Sequence, residues 1–194
     1  MNYPSGIHKQ NSKGTEDKVI NYKNRGMTLE SELNISNEFY REIDKAYIYK
    51  KPTPIKITKV DYPSRDKAVI KEAFFTVPST TDYNGIYKGY YIDFEAKETT
   101  SNTALALSNI HPHQIKHLEN VSRHNGIAFL IVRFTNLNET YLLLAKELSS
   151  FLKEEKRKSI PITFFKEKGY RIADGYNPRV DYLKIIDEVI GGKQ

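Results

Sequence analysis

The sequence predicts an α/β domain: a mixed β-sheet with helices packed against it. Three stretches carry that expectation. The segment "GIAFLIVRF" is almost wholly apolar and too short for a helix of ordinary length, as expected for a strand covered on both faces. The segment "YIDFEAK" alternates apolar with charged residues, the signature of a strand with two unlike faces. In "HPHQIKHLENVSRHNG" Ile115, Leu118 and Val121 recur at helical spacing. Strands separated by helices in this order imply a sheet flanked by helices.

Taken in order, residues 1–24 are rich in Asn, Lys, Gly and Ser and are expected to form a basic, flexible arm. Residues 25–194 are expected to form one domain. Its first helix begins near Gly26, with Thr28 as N-cap and Met27, Leu29, Leu33, Ile35 and Phe39 as its apolar residues. "KAYIYKK" reads as a short strand. The prolines and alternating lysines of "KPTPIKITKVDYP" deny it a central place in a sheet. About residues 52–79 are therefore expected to form a protruding stalk. Strands follow near 81–87 and 89–97, joined by a tight turn at "YKG". Pro112 suits the first turn of the next helix, and Gly126 its end. "ETYLLLAKELSSFLKEEKRK" starts as a strand and ends as a basic helix. "YNPRVDYLKIIDEVI" reads as the final helix.

The 194 residues are 39% hydrophobic and 12% aromatic, enough to enclose a core. No apolar run reaches the roughly eighteen residues of a membrane span. The first residues lack the apolar stretch of a secretory signal, and a cytoplasmic protein is expected. The absence of cysteine excludes disulfides, thiolate zinc centres and a cysteine nucleophile. Net charge is +6, and residues 50–72 carry seven Lys and Arg against three acids. A basic balance favours polyanionic partners, because each neutralised phosphate releases counterions. His113 and His117 stand at i, i+4, but no third ligand follows at zinc spacing. No Gly-x-Ser-x-Gly and no phosphate-binding glycine loop occur, so serine hydrolase and P-loop readings fall away.

The candidate chemistry lies in "TTDYNGIYKGYYIDFEAKETT", from Thr80 to Thr100. Strand alternation sends Ile92, Phe94 and Ala96 one way and Asp93, Glu95 and Lys97 the other. Asp82, on the preceding strand of a short hairpin, can reach the same face. Close carboxylates need compensation. Either lysines and arginines provide it, giving a salt-bridge ladder, or a hard divalent cation does, which prefers oxygen ligands. Thr80 and Thr81 add neutral oxygens beside Asp82. Gly85 and Gly89 are expected to leave the hairpin edge open to a large ligand.

Asp, a spacer, then Glu-x-Lys resembles the PD-(D/E)xK motif of restriction-endonuclease-like nucleases. The longer string "GMTLE", "KKPTPI", "AVIKEAFF", "STTDYNGIYKGYYIDFEAKET", "HPHQIKHL" and "GYNPRVDYLK" is similar to the RecU family of Holliday junction resolvases over about residues 25–187. That resemblance implies a restriction-endonuclease-like homodimer with a stalk on each subunit. It also implies Mg²⁺, one or two ions per subunit with Mn²⁺ as a substitute, and paired symmetric nicks at a four-way DNA junction that leave 5′-phosphates. Carried over, the metal ligands are Thr80, Asp82, Glu95 and Gln114, and Lys97 stabilises the transition state. Asp82 and Glu95 thereby count with Lys97 as catalytic. Asp93 shares the face without being required as a ligand, and Glu30 on the first helix is a further candidate to aim at the metals.

Lys56, Lys59, Arg65, Lys67 and Lys71 of the stalk, with Tyr83, are expected to contact DNA. Phe74 and Phe75 are candidates to enter the open centre of a junction or to pack on a dimer mate. RecA and the branch-migration machinery are the further partners the resemblance implies, in DNA recombination and repair. Two other readings share the residues: a sequence-specific restriction-type endonuclease, and a junction-binding RecA modulator without catalysis.

Overall fold

The computed structural model describes residues 27–64, 66–76 and 80–192. The expected N-terminal arm and Arg65 lie outside the described residues. Helix α1 (Leu29–Glu42) starts as its sequence dictates, with the Thr28 hydroxyl accepting from the Ser31 amide at 3.2 Å. Strand β1 (Tyr47–Lys50) follows, then a hairpin of β2 (Ile55–Asp61) and β3 (Val69–Phe75). These two strands form a sheet of their own with a bulged register around Lys59, and apart from half-buried Val60 every residue in them is exposed. The proline-rich segment thus stays out of the main sheet, as its missing amide donors require.

Strands β4 (Tyr83–Tyr87) and β5 (Tyr90–Thr99) are joined through Lys88 and Gly89, with φ of 49° and 81°. Two successive left-handed residues make the turn whose twist matches a two-residue hairpin, and glycine takes the second position without strain. The expectation that Gly85 opens the hairpin edge is corrected. β1 pairs along β4, and a Cβ on Gly85 would lie 2.0 Å from the Tyr47 carbonyl oxygen. Gly85 is there so that β1 can close the edge.

After the short strand β6 (Ala104–Ala106) come α2 (Pro112–Arg123), β7 (Ile127–Phe134), β8 (Glu139–Leu144) and α3 (Ala145–Glu154). The left-handed residue ending α2 is Asn125, at φ 65°, rather than Gly126. Strand β9 (Ser159–Pro161) pairs with β6, and α4 (Ile162–Lys168), β10 (Tyr170–Ile172) and α5 (Tyr182–Gly191) complete the chain. The final helix begins later than its sequence suggested. Residues 174–180 instead form a turn, closed by the Gly175 amide on the Arg179 carbonyl at 3.0 Å.

The main sheet has the order β1-β4-β5-β7-β8-β10. The β5–β7 pair is parallel and the other pairs are antiparallel. Every residue of β7 is buried, because helices cover both faces of the sheet there. Ile92, Phe94, Phe129 and Ile131 pack with Leu29, Leu33 and Tyr40 of α1 and with Tyr182, Leu183 and Ile186 of α5. On the other face, Leu130, Val132 and Leu143 meet Leu148, Phe151 and Phe165 of α3 and α4, while Ala128 meets Leu118 of α2. The architecture is therefore a mixed α/β sheet with helices on both sides. Asp93 and Glu95 register against Ala128 and Leu130, which fixes their side chains on the α2 face.

Candidate active site

The alternation of β5 is realised as its sequence dictates. Ile92 and Phe94 are buried toward α1 and α5, and Phe94 stacks between Tyr83 and Phe129 with ring centres 4.7 and 4.8 Å away. Asp93, Glu95 and Lys97 point toward α2. Asp93 and Glu95 have no exposed surface.

Glu95 is the centre of the site. The Lys97 ammonium lies 2.5 Å from its Oε1, and the Gln114 Nε2 donates to the same oxygen at 2.6 Å. Its Oε2 is buried with no hydrogen-bond partner among the described residues. Burial, then the negative charge of neighbouring Asp82, pushes the Glu95 carboxyl up to about 7, against the smaller opposing pull of Lys97. Asp82 precedes β4 and is held by the Ala96 amide, which donates to its Oδ2 at 3.0 Å.

The structure therefore brings Asp82, Glu95, Lys97 and Gln114 together. Among the described residues no three of His, Cys, Asp and Glu form a metal-binding cluster. The set here is instead two carboxylates with the Gln114 amide and the Lys97 ammonium beside Glu95. The groups it offers a cation are carboxylate oxygens, which concentrate negative charge, and one buried carboxylate oxygen lacks a hydrogen-bond partner among the described residues. Those properties fit a hard divalent cation. Gln114 plays a part that its sequence position did not disclose. Its Oε1 accepts from the His111 amide at 2.9 Å, so in this conformation the oxygen caps α2 while the nitrogen steadies Glu95.

Asp93 has a different environment. Its Oδ2 takes the Lys51 ammonium at 2.8 Å, the Tyr91 hydroxyl at 2.9 Å and His117 Nε2 at 3.0 Å, while its Oδ1 accepts from the Thr81 hydroxyl. Sequence reasoning missed Lys51 and His117 as partners of Asp93, and it placed the Thr81 oxygen beside Asp82 where the structure turns it to Asp93. The spacing of His113 and His117 was visible, but the partner of His117 is a carboxylate on β5. Glu30 is paired with Lys50 at the exposed end of α1.

Tyr83 is corrected from a DNA contact to a core residue. It has no exposed surface, and its hydroxyl donates to Asn34 Oδ1 at 2.9 Å and to the Glu30 carbonyl at 3.2 Å. The aromatic ring needed to fill the space under α1 also sits one residue after Asp82, and burial claimed it. Lys56, Lys59, Lys67 and Lys71 are exposed, Lys71 beside Asp61 at 3.5 Å, and Phe74 and Phe75 are 56% and 83% exposed.

A mixed sheet that brings the carboxylates of Asp82 and Glu95 and the Lys97 ammonium to one site defines the class of oxygen-rich sites suited to a hard divalent cation. Comparison with known proteins makes the class particular. The family described as Recombination protein U, RecU, matches residues 24–188. A Holliday junction resolvase RecU of Geobacillus sp. (strain WCH70) is 53% identical over 193 residues, 96% of each chain. One from Staphylococcus carnosus (strain TM300) is 49% identical over 98% of this chain and 96% of its own. The archaeal Holliday junction resolvase Hjc of Archaeoglobus fulgidus superposes with a TM-score of 0.41 at 10% identity, over 72% of this chain and 94% of that one. That last likeness is too slight to bear on the assignment. The chain belongs to the RecU family.

Proposed function

We propose that the protein is a Holliday junction resolvase acting in recombination and repair, a Mg²⁺-dependent endonuclease that makes paired symmetric nicks in four-way junction DNA. The observation that carries this reading is half-buried Asp82 beside fully buried Glu95, with a Glu95 oxygen that has no hydrogen-bond partner among the described residues and Lys97 beside it. Asp82, Glu95 and the Thr80 hydroxyl would hold the cation. When bound it lowers the pKa of a coordinated water and offsets charge on the leaving oxygen, and Mn²⁺ would substitute. Gln114 keeps the Glu95 carboxylate oriented. Lys97 gives one N–H to Glu95 and keeps the others for the phosphodiester, where its positive charge would offset the negative charge growing on the phosphoryl oxygens as water attacks. Departure of the 3′-oxygen leaves a 5′-phosphate.

Paired nicks need two sites, and a two-fold homodimer matches the pseudo-symmetry of a junction. The exposed lysines of the β2–β3 hairpin, with Arg65, supply phosphate contacts that read shape more than bases. RecA and the branch-migration machinery are further partners on this reading, and the cytoplasm is where their DNA would be met. The expected arrangement of residues 25–194 as a nuclease domain with a stalk at about 52–79 goes with it, as does a restriction-endonuclease-like fold.

The test is cleavage of a four-way junction and of linear duplex, with Mg²⁺ and with EDTA, by wild type and Asp82→Asn. Junction cutting that needs Mg²⁺, lost in Asp82→Asn while junction binding persists, is the expected result. Preferential cutting of duplex at one sequence would favour a restriction-type enzyme. Junction binding without cutting by wild type would favour a non-catalytic RecA modulator.

A further inference from the structure

Asp82 and Thr80 share a problem. Both sit in a segment with neither helix nor strand to hold it, yet a cation site tolerates little displacement of its ligands. Besides the Ala96 amide on Asp82, one side chain reaches across the segment and ties it to β5. The Lys51 ammonium donates to Thr80 Oγ1 at 3.1 Å, to Thr81 Oγ1 at 2.5 Å and to Asp93 Oδ2 at 2.8 Å. An ammonium has three protons, so all three are committed. The Lys51 amide also donates to the Asp82 carbonyl at 2.8 Å. Asp93 lies within the β5 ladders, opposite Asn84 of β4 and Ala128 of β7, so its carboxylate is anchored in the middle of the main sheet. Tyr91 and His117 hold that carboxylate from two further sides.

We propose that the buried Lys51–Asp93 ion pair is a brace that sets Thr80 and Asp82 for the cation, making both members positioning residues of the candidate active site. The inference rests on the resolvase reading given above. It distinguishes two lysines on one face of the protein. Lys97 keeps uncommitted protons beside Glu95 and is the group that can meet substrate. Lys51 is 14% exposed, has no proton left to offer a phosphate, and acts through the segment it holds. Loss of a group that orients metal ligands typically costs about 10–100-fold in metal affinity.

The experiment measures Mn²⁺ binding to the full chain by electron paramagnetic resonance, and junction cutting across a Mn²⁺ titration. Wild type, Lys51→Met, Asp93→Asn and the double variant are compared, with folding followed by circular dichroism. Lys51→Met is the deciding variant, because Asp93 keeps Thr81, Tyr91 and His117 as partners when the ammonium is removed. The expected result is Mn²⁺ affinity at least about tenfold weaker in Lys51→Met and Asp93→Asn, with cutting recovering at saturating Mn²⁺. The double variant should lose no more than the worse single, since the two act through one contact. Mn²⁺ affinity of Lys51→Met within about twofold of wild type would overturn the brace. So would lost cutting at saturating metal with unchanged Mn²⁺ binding, which would put Lys51 on the reacting phosphate, or an unfolded Lys51→Met, which would make the pair a fold element. Wild type that neither binds Mn²⁺ nor cuts would instead defeat the resolvase reading itself.

Discussion

Replacing Glu95 by glutamine should stabilise the metal-free protein, by an amount that grows as pH rises from about 4.5 to about 7. The Glu95 carboxyl stands at about 7 in the folded chain against an ordinary 4.5, because burial and Asp82 disfavour its ionised form. A raised carboxyl is neutral in the native state while already ionised in the unfolded chain. Its contribution is therefore fully present below pH 4.5 and is lost as pH rises through 7. Glutamine imitates the neutral acid at every pH. Linkage over those two values gives Glu95→Gln an advantage of about 3 kcal/mol at pH 8 and under about 1 kcal/mol at pH 5. For a chain of this size that is a melting-temperature gain of roughly 6–12 °C at pH 8. The assay is thermal unfolding of both proteins in EDTA at the two pH values. A gain equal at pH 5 and pH 8, or a loss at pH 8, would refute the account of Glu95 as a buried acid strained by its neighbour. Mg²⁺ at pH 8 should raise the melting temperature of wild type more than that of the variant.

Other outcomes follow from single residues. Tyr83→Phe removes a hydroxyl bonded to Asn34 and the Glu30 carbonyl, and should cost about 1 kcal/mol in urea unfolding while leaving junction binding unchanged. Phe75→Ala, at an 83% exposed position, should alter stability by less than about 0.5 kcal/mol yet weaken junction binding or cutting. Lys59→Ala should weaken junction binding and lower the magnitude of its logarithmic salt dependence by about one, the share of one phosphate contact.

Much of the framework was legible because its signals are local. Thr28 caps α1 through its own hydroxyl, the "YKG" turn follows from its glycine, which takes positive φ without strain, and β7 reads as buried because no residue between Ile127 and Val132 is polar. The short elements were not legible. β6, β9 and β10 have three residues each, too few for any periodicity to show, and they exist because distant segments pair. The late start of α5 has the same origin. The turn before it is held by the bridge between Asp174 and Val180 and by packing on α1.

The candidate site divides along the same line. By itself the sequence determined that Asp93, Glu95 and Lys97 share a face, since a strand admits no other arrangement of alternate residues. Only the tertiary structure decided what each would do there. Parallel pairing with β7 turned that face under α2, which buried Glu95 and left one of its oxygens without a partner. It also brought Lys51 to Asp93 across 42 residues of sequence, and it sent Tyr83 into the core. Proximity in sequence sets which groups are available, and the packing of helices on the sheet sets which of them lose water and acquire charged neighbours.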